Sequence, residues 1–274
     1  MTVARCGYGG FVRFRRPLIT VATAVLAVGA LTGVAPPAHA AAFPVNPGPI
    51  VEGRPIVGSG QNLPPIAQST YNVGDHLARE IKAYYGGRSI DRDRAAVALA
   101  AGRWVREWTR ANCGRAPREV RACRAAVVFD IDETLLNSYS YGIAQVPQFT
   151  FDPTTWDRYV ADCGYSDIPQ VRALYNRLVR QGLRIALVSA GPEANRSAVT
   201  RCLRAEGISG WDILVMRGKE NADLSVGEFK AEVRQGLQEK GLRIVASVGD
   251  QVSDMAGGHL KRGFLLPNTM YYLH

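Results

Sequence analysis

The spacing of hydrophobic residues changes near residue 125, and this change divides the chain into two parts. Before it, apolar positions recur at helical intervals, which predicts one helix over residues 69–85 and a second helix that follows Ser89 as its N-cap. The apolar face of the second helix is formed by Val97, Ala100, Trp104 and Trp108. Both tryptophans are therefore predicted to lie in the core.

After Ala125, short apolar runs alternate with amphipathic segments of helical period. The runs AVVFDI, RIALVS, ILVM and RIVASVGD are predicted strands, and RIVASVGD is the last of the series. Helices are predicted between them, through Val171–Val179, Val199–Leu203 and Val226–Leu237. This alternation is typical of an α/β fold, in which right-handed crossovers set parallel strands side by side and helices flank the sheet.

Two segments fall outside this pattern. Residues 41–66 are rich in Pro and Gly and show no apolar period, which predicts a lead-in with little regular structure. The segment of about 137–168 is too long for a simple loop and too aromatic for disorder, so we expect a small cap over one sheet edge. Within it, Trp156 and Tyr159 are candidates for the lining of a substrate pocket or for the core of the cap.

The first 40 residues have the pattern of a signal peptide. Four arginines precede an uncharged run, Leu18–Ala35, and Ala-His-Ala ending at Ala40 supplies a cleavage site. We predict a signal peptide over residues 1–40 and a secreted protein without a membrane span after cleavage; an uncleaved anchor is the alternative. The lead-in is then followed by one domain over residues 67–274, whose N-terminal helices occupy 67–123.

The chain is mildly basic. Its formal net charge is +9, and removal of the four arginines of the signal peptide lowers it to +5. Basic and acidic residues are mixed, as between Arg88 and Arg106, which is typical of a solvated face rather than of a nucleic-acid-binding stripe. A nucleic-acid polymer is therefore not predicted as a partner, whereas a small anionic substrate is compatible with this charge.

The cysteines predict a disulfide framework. Cys6 leaves with the signal peptide, and the remaining even number of four in an exported chain favours two disulfides, for which three pairings are possible. We prefer Cys113 with Cys123 and Cys163 with Cys202, because the first two lie close in sequence before the first strand. Free buried thiols are the alternative, and a zinc site is not predicted because no CxxC pair occurs.

Acidic residues follow directly behind the first and the last predicted strands. They are Asp130, Asp132 and Glu133 after the first strand, and Asp250 and Asp254 after the last. Carboxyl ends of parallel strands meet at one edge, and buried carboxylates need a cation there. An all-oxygen site of this kind suits Mg²⁺. Ser189, as a hydrogen-bond donor, and Lys230, as a positive charge, are predicted to bind the oxygens of a phosphate group. Glu133 is interpreted as a local cap or hydrogen-bond partner.

Four motifs occur in the order that a known superfamily shows. FDIDETLL, LVSA, EFK and VGDQVSD resemble the motifs of the haloacid dehalogenase (HAD) superfamily of phosphotransferases. FDIDETLLNS, GDQVSD and the terminal FLLPNTMYY are similar to plant-type, or class B-like, secreted acid phosphatases, a group that includes vegetative storage proteins. The resemblance runs from about Tyr71 to the C-terminus. It implies a Rossmann-like HAD core and a magnesium-dependent phosphomonoesterase.

The resemblance also implies roles for individual residues. Asp130 attacks phosphorus to form an aspartyl-phosphate, and Asp132 protonates the leaving alcohol and later deprotonates water. Ser189 and the backbone N–H of Ala190 hold phosphoryl oxygens, while Lys230 stabilises the charge of the transition state.

A metal site is implied by the same comparison. Asp250 binds Mg²⁺ together with the Asp130 carboxylate and the main-chain carbonyl of Asp132, and Asp254 is a ligand or supports the ligands.

Two positions and two alternative functions stay open at this point. The second motif reads SAGPE where many relatives carry TGR, so an arginine contact to the substrate is lost or comes from elsewhere. Lys219 competes with Lys230 for the third motif, but EFKAEVR fits a helix and the family pattern better. A phosphotransferase with a non-water acceptor and a non-catalytic storage or binding protein are alternative functions. A dehalogenase is disfavoured, because it has no use for Asp132.

Overall fold

The structure is a computed structural model, and it describes residues 50–51, 54–55, 57–58 and 75–273. The predicted signal peptide and the start of the first predicted helix lie outside these residues. Within the described part of the chain, none of the helices has the length and apolar character needed to cross a membrane.

A six-stranded parallel sheet with the order β3-β10-β9-β4-β7-β8 forms the centre of the fold. The strands of the described residues are β1 (Ile50–Val51), β2 (Arg54–Pro55), β3 (Val57–Gly58), β4 (Ala125–Phe129), β5 (Leu136–Asn137), β6 (Ser166–Asp167), β7 (Arg184–Pro192), β8 (Ile213–Arg217), β9 (Arg243–Gly249) and β10 (Gly263–Leu265). The predicted α/β class with a parallel sheet is confirmed.

The sheet is larger than the sequence pattern predicts. RIVASVGD is not the last strand, because β10 pairs with β9 and β3 pairs with β10. Both additions have two or three residues, too few to show an apolar period. The segment predicted to have little regular structure also contains the antiparallel pair β1 and β2.

Helices cover the sheet on both faces. Those of the described residues are α1 (Asp75–Gly86), α2 (Ser89–Asn112), α3 (Pro117–Ala122), α4 (Tyr139–Ala144), α5 (Pro153–Ala161), α6 (Pro169–Arg180), α7 (Arg196–Ala205) and α8 (Val226–Glu239). Ser89 is the first residue of α2 rather than its N-cap, which is Arg88 at φ 60°. At α8, Ser225 and Glu228 form a reciprocal capping box that fixes the start of the helix.

Two layers of the core lie on opposite sides of β4. Val127 and Phe129 pack with residues of α2, α6 and α7, whereas Ala126 and Val128 pack with residues of α8. A strand buried on both faces explains the continuous apolar run in the sequence. Trp104 and Trp108 are only half-buried and pack against the edge of the first layer, where the Trp104 indole donates to the Val245 carbonyl over 3.0 Å.

The segment 136–168, called the cap segment below, contains β5, α4, α5 and β6. Its two ends are joined, because β5 and β6 pair in antiparallel fashion with Leu136 opposite Asp167. An aromatic cluster of Tyr141, Trp156, Tyr159 and Tyr165 lies inside it, with ring centroids between 5.0 and 5.9 Å apart.

Two disulfides tie helices together, and the preferred pairing is confirmed. Cys113–Cys123 links the end of α2 to the end of α3. Cys163–Cys202 links the cap segment to α7 across 39 residues of sequence.

Removing the two disulfides separately should destabilise the protein to different extents. Replacing Cys163 and Cys202 by Ala releases a loop of 39 residues, and replacing Cys113 and Cys123 releases one of 10. Because loop-closure entropy grows with loop length, we expect losses of about 4 and about 3 kcal/mol in the free energy of unfolding. Urea denaturation under non-reducing conditions measures both, and a larger loss for the shorter loop would contradict this ranking.

Candidate active site

Three carboxylates converge at the carboxyl edge of the sheet. Asp130 follows β4 and Asp250 follows β9, which are neighbouring parallel strands, and Asp254 ends a short 3₁₀ turn behind β9. One carboxylate oxygen of each lies within 4.8 Å of the others. All three residues are at most 6% exposed. The structure therefore brings together the acids that the two strand-end motifs predicted.

Lys230 of α8 reaches this cluster from one side. Its ammonium group donates to Asp130 Oδ1 over 2.6 Å and also to the Asp254 carboxylate. Burial by itself would lower the pKa of Lys230, but the two carboxylates outweigh it and raise the pKa well above its ordinary value. The rival candidate, Lys219, lies exposed in another 3₁₀ turn.

The Asp132 carboxylate has its hydrogen-bond partners on the cap segment and on β7. Its Oδ1 accepts from the Tyr165 hydroxyl over 3.0 Å, and its Oδ2 lies 3.4 Å from Ser189 Oγ. Burial raises the pKa of Asp132, while the hydrogen bonds from Tyr165 and Ser189 lower it. Asp130 and Asp132 thus have different partners, as successive positions behind a strand allow.

Ser189 and Ala190 lie where β7 departs from regular pairing. The register of β7 against β8 shifts between Ser189 and Pro192. The Gly191 N–H donates to Ser189 Oγ over 2.9 Å, which fixes the buried hydroxyl beside Asp132. A Cβ at position 191 would lie 3.1 Å from that hydroxyl, so glycine suits this close approach.

Polar side chains orient the carboxylates without balancing their charge. Asp250 Oδ2 accepts from the amides of Gln251 over 2.6 Å and Asn268 over 2.7 Å, and Thr134 lies 3.2 Å from both Asp130 and Asp250. Burial raises the pKa of Asp130 to about 7, although Lys230 acts in the opposite direction. Three buried carboxylates facing one ammonium leave excess negative charge, and such an oxygen donor set fits a divalent cation.

Two buried arginines that the sequence interpretation did not single out, Arg94 and Arg234, support the site. Arg94 of α2 is 3% exposed and places Nη2 3.7 Å from Glu133 Oε2. Glu133, at φ 55°, also accepts from the Ser138 N–H over 2.7 Å. The local hydrogen bond expected for Glu133 is present, but its contact with α2 could not be read from the sequence, because Arg94 lies 39 positions earlier in a helix full of arginines.

Arg234 was also missed. It lies one helical turn after Lys230, is 1% exposed, and donates to the carbonyls of Asp254 and Gly258 over 2.9 Å each. The spacing of four residues in EFKAEVR is the signal that places both cations on one helix face. Arg234 therefore holds the loop whose carboxylate Lys230 contacts.

A cavity of about 440 Å³ opens beside Asp132 and Ala190. Its wall includes the aromatic residues Tyr141, Phe149, Phe151, Trp156 and Tyr271. Trp156 and Tyr159 were predicted either to line a substrate pocket or to form the core of the cap. Trp156 lines the cavity, whereas Tyr159 packs inside the aromatic cluster. Arg217 also borders it, but its guanidinium donates to the carbonyls of Asn221 and Ala222 over 3.2 Å each, so it braces the adjacent loop.

A family model agrees with this geometry. The model of the HAD superfamily, subfamily IIIB (acid phosphatase), matches residues 65–274. The chain belongs to this family. The resemblance found in the sequence motifs is thereby confirmed, and with it the phosphomonoesterase class of this HAD protein. Phosphatases of this superfamily generally use a divalent metal, consistent with the carboxylate cluster.

Plant proteins are among the relatives of this HAD protein. It is 27% identical over 208 residues to acid phosphatase 1 of Solanum lycopersicum, covering 73% of this chain and 76% of that protein. It is 31% identical over 155 residues to a stem 31 kDa glycoprotein of Glycine max, covering 53% and 59%. It is 28% identical over 152 residues to vegetative storage protein 1 of Arabidopsis thaliana, covering 53% and 54%.

A solved structure shows the same fold. The class C acid phosphatase from Bacillus anthracis superposes with a TM-score of 0.58 at 15% identity, over 72% of this chain and 86% of that one. The predicted HAD core is thereby confirmed at the level of the fold.

Without a divalent metal, the protein should lose stability as the pH rises from about 4 to about 7. Burial raises the pKa of Asp130 to about 7 from an ordinary 3.8, so in this range the folded state holds a proton that the unfolded state has released. The expected loss is on the order of a few kcal/mol. Thermal unfolding in EDTA measures it, and added Mg²⁺ should raise the midpoint more at pH 7 than at pH 4.

Asp130→Asn is the matched control for this titration, because an amide carries no charge at either pH. Its midpoint should fall less steeply with pH than that of the wild type. A wild-type midpoint that rises across the same range in EDTA would show that the site holds no excess negative charge.

Proposed function

We propose that this protein is a secreted, Mg²⁺-dependent acid phosphatase that hydrolyses small phosphomonoesters through an aspartyl-phosphate on Asp130. One observation carries the proposal: the Lys230 ammonium lies 2.6 Å from Asp130 Oδ1 inside a group of three buried carboxylates. A carboxylate held beside a buried cation at the end of a parallel strand is placed to attack an anionic ester whose charge that cation offsets.

In the first step, the Asp130 carboxylate would attack phosphorus while the bond from phosphorus to the leaving oxygen breaks. Lys230 is 4% exposed, and in such a low-dielectric environment its charge interacts strongly with the developing phosphoryl charge. Ser189 Oγ and the Ala190 N–H would donate to the remaining phosphoryl oxygens. Ala190 borders the same cavity as Asp132, which supports this placement.

Asp132 would act as general acid and base. It would give a proton to the leaving oxygen and later accept one from the water that attacks the aspartyl-phosphate. Its contacts with Ser189 and Tyr165 differ from the contacts of Asp130, which supports a role separate from that of Asp130.

The metal would be held by the carboxylates of Asp130 and Asp250 and by the main-chain carbonyl of Asp132. When bound, Mg²⁺ neutralises the excess carboxylate charge and that of the incoming phosphate. Asp254 already accepts from Lys230 on one oxygen and from the Gln251 N–H over 2.8 Å on the other. These contacts favour a supporting role for Asp254 over direct ligation.

Secretion is supported by the two disulfides and by the relatives described as glycoproteins. Disulfides persist mainly in oxidising compartments.

A non-catalytic storage protein is the second candidate, because vegetative storage proteins are among the relatives. The intact pair of Asp130 and Lys230 supports the enzyme instead. A phosphotransferase would use the same residues and differ only in the acceptor. Phosphate release measured with and without a small alcohol separates the two, since a transferase forms a new phosphoester in place of free phosphate.

Asp130→Asn should abolish hydrolysis. We expect kcat/KM for a chromogenic phosphomonoester in Mg²⁺ to fall by about 1,000-fold or more, because an amide cannot form the covalent intermediate. Asp223→Asn, a change at an exposed aspartate, serves as the matched control and should keep wild-type activity. Equal phosphate release by wild type and Asp130→Asn would contradict the assignment of the nucleophile.

A further inference from the structure

Tyr165 of the cap segment contacts Asp132, the predicted general acid and base, with its side chain. It is 6% exposed, and its hydroxyl donates to Asp132 Oδ1 over 3.0 Å. The other oxygen of Asp132, Oδ2, lies 3.4 Å from Ser189 Oγ. The two oxygens of the Asp132 carboxyl group thus have different partners. Tyr165 of the cap segment contacts Oδ1, and Ser189 of β7 contacts Oδ2.

The phenol of Tyr165 is fixed from both sides along the chain. Two positions before it, Cys163 is bonded to Cys202 of α7, and directly after it β6 pairs with β5. The rings of Tyr159 and Trp156 pack against it at 5.0 and 5.9 Å. Such anchoring defines the direction in which the hydroxyl points.

Gly164 makes this packing possible. A Cβ at position 164 would lie 2.3 Å from the Tyr159 ring, so the close contact of Tyr159 with this turn requires glycine. The Gly164 N–H also donates to the Tyr159 carbonyl over 3.0 Å. Gly164 therefore allows Tyr159 to pack closely against this turn, and the Tyr159 ring in turn contacts the ring of Tyr165.

We propose that Tyr165 is a positioning residue whose hydroxyl fixes the Asp132 carboxyl group so that Oδ2 carries the transferred proton. Tyr165 donates to Oδ1 over 3.0 Å, whereas Ser189 Oγ donates to Oδ2 over a longer 3.4 Å and would turn to the phosphoryl oxygens once substrate binds. The carbonyl oxygen of a protonated carboxyl group is its better hydrogen-bond acceptor, so the donor that stays on Oδ1 favours the proton on Oδ2. This inference rests on the proposed phosphatase function.

The proton balance follows from this arrangement. In the first step, the bond from phosphorus to the leaving oxygen breaks, the bond from Asp130 to phosphorus forms, and the Oδ2 proton passes to the leaving oxygen. In the second step, water attacks phosphorus, the bond from Asp130 to phosphorus breaks, and the proton of the water returns to Oδ2. Tyr165 keeps its own proton throughout.

The effect of a Tyr165 substitution on kcat/KM should depend on the leaving group if Tyr165 positions the general acid, and should not depend on it if its role is only structural. General acid catalysis matters most when the leaving oxygen is strongly basic, and it matters little when the oxygen departs readily as an anion. Benzyl phosphate and 4-nitrophenyl phosphate have aromatic groups of similar size but differ in the basicity of the leaving oxygen. The parameter kcat/KM covers only the steps up to the first irreversible phosphoryl transfer, so the later hydrolysis does not enter the comparison.

The test is Tyr165→Phe, which keeps the ring and removes the donor. In Mg²⁺, we expect kcat/KM for benzyl phosphate to fall by about 10- to 100-fold and that for 4-nitrophenyl phosphate by less than about 3-fold. Tyr175→Phe is the matched control: Tyr175 is also buried, but its hydroxyl donates to the Ser209 carbonyl over 3.1 Å in the core. It should leave the ratio of the two substrates unchanged.

A double-mutant cycle with Asp132→Asn gives a second readout. Asp132→Asn alone should show the same selective loss, and Tyr165→Phe added to it should cause no further change in the ratio of the two substrates. Equal losses on both substrates, or no loss, in Tyr165→Phe would overturn the positioning role. If Asp130→Asn retains full activity, the proposed function itself fails; if Asp130 is essential and only the substrate ratio is unaffected, this inference alone fails.

Discussion

The site depends on one electrostatic constraint, the burial of three carboxylates around a single ammonium group. Asp130, Asp250 and Asp254 lie within reach of one another, and Lys230 contacts two of them. Burial raises the pKa of each carboxyl group, because removal from water disfavours the charged form. The buried carboxylates therefore form a binding site for a cation. A metal-assisted phosphatase needs such a site.

The scaffold explains how this arrangement is tolerated. Neighbouring parallel strands bring Asp130 and Asp250 to one edge, and helix α8 supplies two cations one turn apart. Lys230 contacts the side chain of Asp254, while Arg234 binds its carbonyl, so one helix fixes both ends of that residue. From the opposite side of the sheet, Arg94 approaches Glu133, which follows Asp132 directly. Charged groups from separate helices therefore offset part of the negative charge of the acids at the strand ends.

The parallel sheet and the cap segment contribute different properties. The sheet edge supplies charge, through its acids and Lys230. The cap segment supplies shape and orientation, because it provides aromatic walls such as Trp156 for the cavity and places Tyr165 on Asp132. The pairing of β5 with β6 joins its two ends, and the disulfide between Cys163 and Cys202 ties it to α7.

Of three possible disulfide pairings, the sequence only favoured the one that the tertiary structure shows. The sequence by itself determined the parallel α/β core and the acids behind the strands, because these features depend on local period and on order along the chain. It did not determine β3 or β10, whose two or three residues carry no period and form only by pairing with β9 or with each other. Tyr165, Arg94 and Asn268 were likewise decided by the tertiary structure. Each contacts an acid between 18 and 39 positions away, and no local pattern specifies which buried polar group such an acid will meet.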